Sequence, residues 1–259
     1  MIHPEARQFP SVDRVRYEHR SADELQALLC LPRVVLFDEV GSTLDVAHEL
    51  GDQGTAAGTL VLADAQSAGR GRMGRSWRSE PGSGIWLTLV ERPATDDALG
   101  VLALRLALAL APALDGFSSE CVQLKWPNDV FVGDRKLAGI LVEARWRGAR
   151  LDWVAIGVGI NVHPPAELDV GGLLSGTDRL TVLRSVVPAL RSALTTTGRL
   201  TDDELRRFRD RDLALGKRCT APIEGEVAGV RSDGALLVAG PNGVEAVHAG
   251  SLVLANTHY

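Results

Sequence analysis

Lysine is scarce in this chain: of 259 residues carrying 28 Lys+Arg, only Lys125, Lys136 and Lys217 are lysines. Aromatic residues make up 5%, and cysteine occurs three times, at Cys30, Cys121 and Cys219. An odd, widely spaced set with no C-x-x-C excludes a disulfide frame and fits reduced thiols in a cytoplasmic protein. His3, His19, His48, His163, His248 and His258 fall into no H-x-x-x-H or H-E-x-x-H spacing, so a zinc centre has no sequence support. No G-x-S-x-G elbow offers a serine nucleophile. The most apolar run, 99–114, is broken by Arg105 and is too short to span a bilayer. The opening MIHPEARQFP lacks the charged-then-apolar order of a signal peptide, and no membrane role is expected. A net charge of −5 leaves no broad basic face for a long polyanion, so DNA is not an expected partner.

What the chain does have is an ordinary core-forming composition, 45% hydrophobic and 24% charged, enough for one main domain and a small second one. Where a cation is merely needed, arginine supplies it. A compact ammonium differs chemically from a planar guanidinium fork, which directs attention to the three surviving lysines.

Ser21-Ala-Asp-Glu24 forms a capping box for a short helix ending before Pro32, and 34–40 reads as a buried strand. Gly41-Ser42-Thr43 then opens a helix to about Leu50. Further strands are expected at 59–66, 84–91, 122–126, 130–132, 136–146 and 151–160, with a long helix over 96–114 and turns at Pro127-Asn128-Asp129, Gly133-Asp134 and Arg147-Gly148. Their succession describes a meander of mostly antiparallel strands flanked by helices. Helices at 181–196 and 202–213, the second opened by a capping box at Thr201–Glu204, close this part. After Gly216, short apolar runs at 225–230, 235–239, 244–247 and 251–254 alternate with turn residues, as in a small SH3-like β-barrel.

The stretch QSAGRGRMGRSW, 66–77, holds Gly69, Gly71 and Gly74 in a G-x-G-x-x-G with Arg70, Arg72, Arg75 and Arg78 around it. As a dinucleotide fingerprint it fails on context, because Pro81, Gly82 and Gly84 leave no room for the crossover helix that would hold a pyrophosphate. Side-chain charge and close backbone approach still make it an anion loop, or else a solvated basic loop, and it should stay mobile until a ligand arrives. In Lys125-Trp-Pro-Asn-Asp129 an amide and a carboxylate supply hard oxygens of the kind Mg²⁺ accepts, although an ordinary Asn-Asp turn reads the same way. Alternation puts Lys136 on one face with Ala138, Ile140 and Val142, either at the floor of a cleft or snorkelling past the sheet edge.

Taken with Gly41-Ser-Thr43 and Gly157-Val-Gly-Ile-Asn161, these segments resemble, in order and spacing, the biotin–protein ligases, which attach biotin to a carrier-domain lysine through biotinyl-5′-AMP. The likeness runs from about Val34 to Val162. It implies an α+β fold, with a class II synthetase-like catalytic domain over 1–213 and the small barrel over 214–259. The domain's mixed, largely antiparallel sheet would carry flanking helices. It also implies ATP and Mg²⁺ as cofactors, biotin as substrate, and the biotin carboxyl carrier domain of an acyl-CoA carboxylase as protein partner. By position, Ser42, Thr43, Gln66, Gly69, Arg70, Gly71, Arg72 and Lys136 match the family's biotin contacts, with Lys136, Arg72 and Arg70 carrying the chemistry. Met73, Arg75 and Trp77 fall in the loop that folds over the adenylate. Lys125, Asn128, Asp129 and Asn161 match the nucleotide side, with Asn128 and Asp129 nearest the metal. Leu44 and His163 depart from the family pattern, which usually has asparagine at the first and often at the second. About thirty residues precede the first strand, too few for the helix-turn-helix that some members carry, so the ligase-only form is expected. A monomer or weak homodimer is expected, since an edge strand could pair two copies. Two rivals remain at this stage: a lipoate–protein ligase, and a module that senses an adenylate without transferring it.

Overall fold

In the computed structural model the described residues are 15–255; the N-terminal stretch 1–10, with His3, and also His258 lie outside them. Helix α1 (Ala22–Leu29) starts where the capping box predicts: Ser21 Oγ accepts the Glu24 N–H at 3.2 Å and Glu24 Oε2 accepts the Ser21 N–H at 2.8 Å. Strand β1 (Arg33–Val40), helix α2 (Thr43–Asp52) and strand β2 (Thr59–Gln66) make one parallel crossover. Then follow β3 (Gly84–Glu91), α3 (Leu102–Asp115), β4 (Gln123–Lys125), β5 (Asp129–Val132), β6 (Arg135–Arg147) and β7 (Arg150–Asn161), all antiparallel to their neighbours. The strands form one seven-stranded sheet in the order β1-β2-β3-β7-β6-β5-β4.

Strand alternation divides the core. Leu60 and Leu62 face α3 and α4 (Arg179–Ala193), whereas Val61 and Ala63 pack with Ala47 and Leu50 of α2 and with Trp153 on the other side. Arg105 interrupts the apolar run for a structural reason: it is 3% exposed, and its guanidinium binds Glu204 (Nε–Oε1 2.6 Å) and the carbonyls of Thr196, Gly198 and Arg199. It thereby ties α3 to α5 (Asp202–Arg211), and truncating one partner would cost about 3–5 kcal/mol.

Helix ends differ from expectation where a cap or a competing bond intervenes. A 3-10 turn, Leu99–Val101, precedes α3. Asp178 caps α4 by accepting the Thr181 N–H at 2.8 Å, which starts that helix earlier than 181. Helix α5 stops at Arg211 because the Leu213 N–H turns to the Leu124 carbonyl at 2.9 Å.

The C-terminal segment contributes β8 (Arg218–Ala221), β9 (Gly225–Val230), β10 (Leu236–Gly240), β11 (Gly243–Val247) and β12 (Val253–Leu254), an antiparallel sheet ordered β11-β10-β9-β8-β12. Val227, Leu236, Val238 and Leu254 join the same apolar cluster as the α3 leucines, and Trp126 Nε1 donates to the Gly234 carbonyl at 2.9 Å. This second sheet therefore shares the main core.

Candidate active site

A cavity of about 510 Å³ opens where the N-terminus of α2, the glycine–arginine loop, the β4–β5 turn, the middle of β6 and β7, and the segment Ser251, Leu252, Val253 converge. Its two ends differ in chemistry.

At one end a buried hydrogen-bond chain has its polarity set by the backbone. Ser42 caps α2, accepting the Leu44 N–H at 3.3 Å. The Thr43 N–H can only donate, so the Gln66 atom facing it at 2.9 Å is Oε1, which also accepts the Thr43 hydroxyl at 3.1 Å. Gln66 Nε2 consequently donates to Ser79 Oγ at 2.8 Å, and Ser79 donates onward to the Trp77 carbonyl at 3.3 Å. Since the Thr43 hydrogen is committed to Gln66, the hydroxyl of the fully buried Thr88 must donate to Thr43 Oγ1, at 2.9 Å. A Thr43 lone pair and the second Gln66 amide hydrogen are left over, an acceptor beside a donor on two residues that both line the cavity. That pair matches an N–H next to a C=O.

At the other end Lys136, Lys125 and Arg72 gather around the Asp129 carboxylate, with Arg75 beside two of them, and Asp169 also lines the cavity. Lys136 Nζ lies 2.7 Å from Asp129 Oδ1. Asp129 also acts electrostatically on the buried Lys125 and on Arg72, and Arg75 acts on both. Burial lowers the Lys125 pKa; Asp129 opposes that shift, while Lys136 and Arg75 reinforce it. Arg72 donates to Asn128 Oδ1 at 3.1 Å and Arg75 to Ser251 Oγ, both neutral acceptors. Their charges remain available to an anion.

The loop between these ends is folded rather than structureless. Gly71 N–H donates to the Arg75 carbonyl at 2.7 Å and Trp77 N–H to the Gly69 carbonyl at 2.8 Å, with Met73 (φ 57°) and Gly74 (φ 73°) making the reversal. Trp77 lies across β6 and β7, where side chains would collide with it: a Cβ on Gly159 would come within 2.6 Å of the indole, and one on Gly139 within 2.9 Å. Lys136 Nζ sits 5.0 Å from the Trp77 ring centroid.

The cavity thus gathers Ser42, Thr43, Gln66, Arg70, Gly71, Arg72, Arg75, Trp77, Lys125, Asn128, Asp129 and Lys136 from segments far apart in sequence. Gly69, Met73 and Asn161 do not line it. Gly69 is a packing position, since a Cβ there would meet the Trp77 carbonyl at 2.3 Å. Met73 is 73% exposed and reaches Ser251, so it gives little apolar cover. Asn161 donates to the Lys136 carbonyl at 3.1 Å and supports that lysine from behind. Arg70 lines the cavity with its guanidinium on carboxylates, gripping Glu143 at 3.0 and 3.1 Å and Asp45 at 3.0 Å.

The expected magnesium pair also separates. The Asn128 oxygen is taken by Arg72 and its amide donates to the Ile140 carbonyl at 2.8 Å, leaving Asp129 as the carboxylate at hand. Among the described residues no group of three or more His, Cys, Asp or Glu could hold a metal. This is a poor resident magnesium site, and an ion here would depend on phosphate oxygens for most of its shell.

Sequence reasoning missed Gly139, Gly157 and Gly159 as the cavity floor, although glycines inside strands signal close approach. It also missed Thr88, and Ser251, which arrives from the distant second sheet. The departures from pattern are absorbed structurally: Leu44 packs over Gly157, and His163 Nε2 bonds the Thr177 carbonyl at 2.8 Å.

Fold and cavity together define an α+β protein with one cavity that pairs a cationic end with a hydrogen-bonding end. Residues 37–161 match the Biotin/lipoate A/B protein ligase family. The chain is 30% identical over 225 residues to the biotin–[acetyl-CoA-carboxylase] ligase of Paracoccus denitrificans, covering 76% of this chain and 90% of that one. It is 31% identical over 195 residues to the enzyme of the same name from Mycobacterium tuberculosis, covering 68% and 70%. Against the bifunctional ligase/repressor BirA of Bacillus subtilis, identity is 39% over 131 residues, half of this chain but only 40% of that longer protein. The solved biotin protein ligase of Aquifex aeolicus in complex with biotin and ATP superposes with a TM-score of 0.73 at 27% identity, covering 88% of this chain and 100% of that one. The chain belongs to the biotin/lipoate A/B protein ligase family.

Proposed function

We propose that this protein activates biotin with ATP and passes the biotinyl group to a lysine of a carrier domain of an acyl-CoA carboxylase, in the cytoplasm. One observation carries the reading: a single cavity joins an end matched to an amide-like N–H and C=O with an end where Lys125, Lys136, Arg72 and Arg75 bring positive charge together. A urea fused to an acid-bearing chain fits the first end, and a triphosphate fits the second.

The obstacle in the first half-reaction is repulsion, since a carboxylate oxygen must bond to the α-phosphorus while the bond to pyrophosphate breaks. Two unit charges at about 4 Å interact with roughly 4 kcal/mol at an intermediate dielectric, so cations between them can be worth about three powers of ten in rate. Lys136 and Arg72 are suited to that role, with Arg75 and Lys125 on the phosphates. Lys136 holds Asp129 at 2.7 Å and needs only to exchange one anionic partner for another. Magnesium arriving on the nucleotide would neutralise phosphate charge, and Asp129 is a carboxylate in the cavity that could join its shell. Trp77 on its glycine floor shields the mixed anhydride from water until the carrier amine attacks the acyl carbon and AMP leaves.

Lipoate's dithiolane offers neither N–H nor C=O, and would leave the Thr43 and Gln66 groups unmatched at about 1–3 kcal/mol. The test is ATP–pyrophosphate exchange with biotin or lipoate, followed by label transfer to a carrier domain. Biotin-dependent exchange with transfer is expected; exchange with lipoate alone would overturn the substrate, and adenylate binding without exchange would favour a sensor.

A further inference from the structure

The partners of the loop arginines sort them into two kinds. Arg72 and Arg75 bond an amide oxygen and a hydroxyl, whereas Arg70 is held by two carboxylates, Glu143 on β6 and Asp45 on α2. A phosphate approaching Arg70 would meet more negative charge than positive. Glu143 is itself oriented: His48 Nε2, one turn after Asp45 on α2, lies 2.6 Å from Glu143 Oε2. His48 Nδ1 is buried with no partner among the described residues, so the ring's hydrogen bond to protein is the one that Nε2 makes with the carboxylate. Burial works to raise the Glu143 pKa, but the His48 bond and the Arg70 charge outweigh it and hold the carboxyl below its usual range.

We propose that Glu143 is a positioning residue which, oriented by His48 and joined by Asp45, clamps Arg70 and sets the glycine–arginine loop against the sheet. The clamp connects three pieces of the site. Arg70 lies between Gly69 and Gly71, whose backbone groups bond across the loop to Trp77 and Arg75; Asp45 and His48 share α2 with Thr43; Glu143 shares β6 with Lys136. A bidentate guanidinium–carboxylate pair fixes orientation as well as distance, so it transmits the register of β6 to the loop before any ligand binds. Arg72 then stays over the Asn128 turn and Trp77 over Gly159 without the ligand having to order them.

This role rests on the biotin-ligase reading for its kinetic part only, and the test separates the two. Trypsin cleavage after Arg72 and Arg75 in the ligand-free, full-length chain reports loop opening whatever the substrate. Glu143→Gln is expected to speed that cleavage about tenfold, and His48→Gln and Asp45→Asn by about threefold, with Arg70→Gln matching Glu143→Gln and adding nothing to it in the double variant. In the exchange assay Glu143→Gln should raise the KM for biotin about tenfold and change kcat less than about twofold. Cleavage of Glu143→Gln at the parent rate would overturn the clamp, as would additive effects in the double variant or a loss confined to kcat. If Glu143→Gln does not fold, Asp45→Asn and His48→Gln read the same clamp, and unchanged cleavage in both refutes it. Absence of biotin-dependent exchange in the parent protein would defeat the activity and leave the cleavage result standing.

Discussion

Asp129 acts on Lys125, Lys136 and Arg72, and Arg75 acts on two of these, which makes Asp129→Asn a direct probe of the cation cluster. At the observed 2.7 Å, and with an effective dielectric near 20, its attraction to Lys136 alone is about 6 kcal/mol before solvation is counted. Lys136 is 31% exposed and regains water when released, which places the net effect between the ~1 kcal/mol of a surface pair and the ~3–5 kcal/mol of a broken buried one. The buried Lys125 sits nearer the second limit, so a loss of about 2 kcal/mol is expected. For a chain of this size that lowers the melting temperature by about 4–8 °C. An anion should restore it. Pyrophosphate without magnesium, at about 100 times its Kd for the parent, contributes about 2.7 kcal/mol to the parent and more to Asp129→Asn, which should bind it more tightly because the competing carboxylate is gone. Thermal melts in phosphate-free buffer, with and without pyrophosphate, therefore decide the matter: the gap between parent and variant should narrow or close. A variant as stable as the parent in plain buffer, or a gap that pyrophosphate leaves unchanged, would show that the four cations do not form one electrostatic unit.

Two further outcomes follow from other parts of the molecule. Thr88→Val removes the hydroxyl that donates to Thr43 at 2.9 Å while keeping the side-chain shape, so Thr43 is free to turn. The KM for biotin should rise about tenfold and kcat should change little, measured by exchange; an unchanged KM would mean Thr43 does not read the ligand. Asp212, at the junction of α5 with the second sheet, has its pKa pushed up to about 6 by burial. A pKa raised on folding makes the contribution of Asp212 to stability most favourable below the unfolded value near 4, and that contribution is lost as pH rises through about 6. Asp212→Asn should thus be more stable than the parent by about 2–3 kcal/mol at pH 7 and equal to it near pH 4, checked by urea unfolding at both. A constant difference across that range would rule out Asp212 as the group responsible.

How far the sequence discloses this site depends on whether a residue's meaning is local. The Ser21 and Thr201 capping boxes close with both reciprocal bonds, because a cap is settled within four residues. The strand expected at 59–66 is present, and its own pleat puts Leu60 and Leu62 on one face and Val61 and Ala63 on the other. Failures begin where meaning lies in a partner. Arg70, Arg72 and Arg75 all belong to one loop, and only the charge of what each touches distinguishes the one on carboxylates from the two on neutral acceptors. Thr88 reads as a β-former in an apolar strand until Thr43 is found 2.9 Å away.

The same dependence on partners explains why the second sheet cannot be treated as a separate attachment. Ser251 accepts from Arg75 and sits 3.5 Å from Met73 Sδ, so the far tip of the loop rests on a segment that follows it by more than 170 positions. Arg70 holds the near end to β6 and α2, and Trp77 holds the return limb over Gly139 and Gly159. Of these three fixings, the Ser251 contact is the weakest, a single hydroxyl that a phosphate can replace on Arg75 with a stronger, charge-assisted bond. Ligand arrival would therefore free the loop tip from the second sheet while leaving Arg70 clamped. On the proposed function, opening for product release would then need only the tip to move, and Thr43 and Gln66 would keep their geometry.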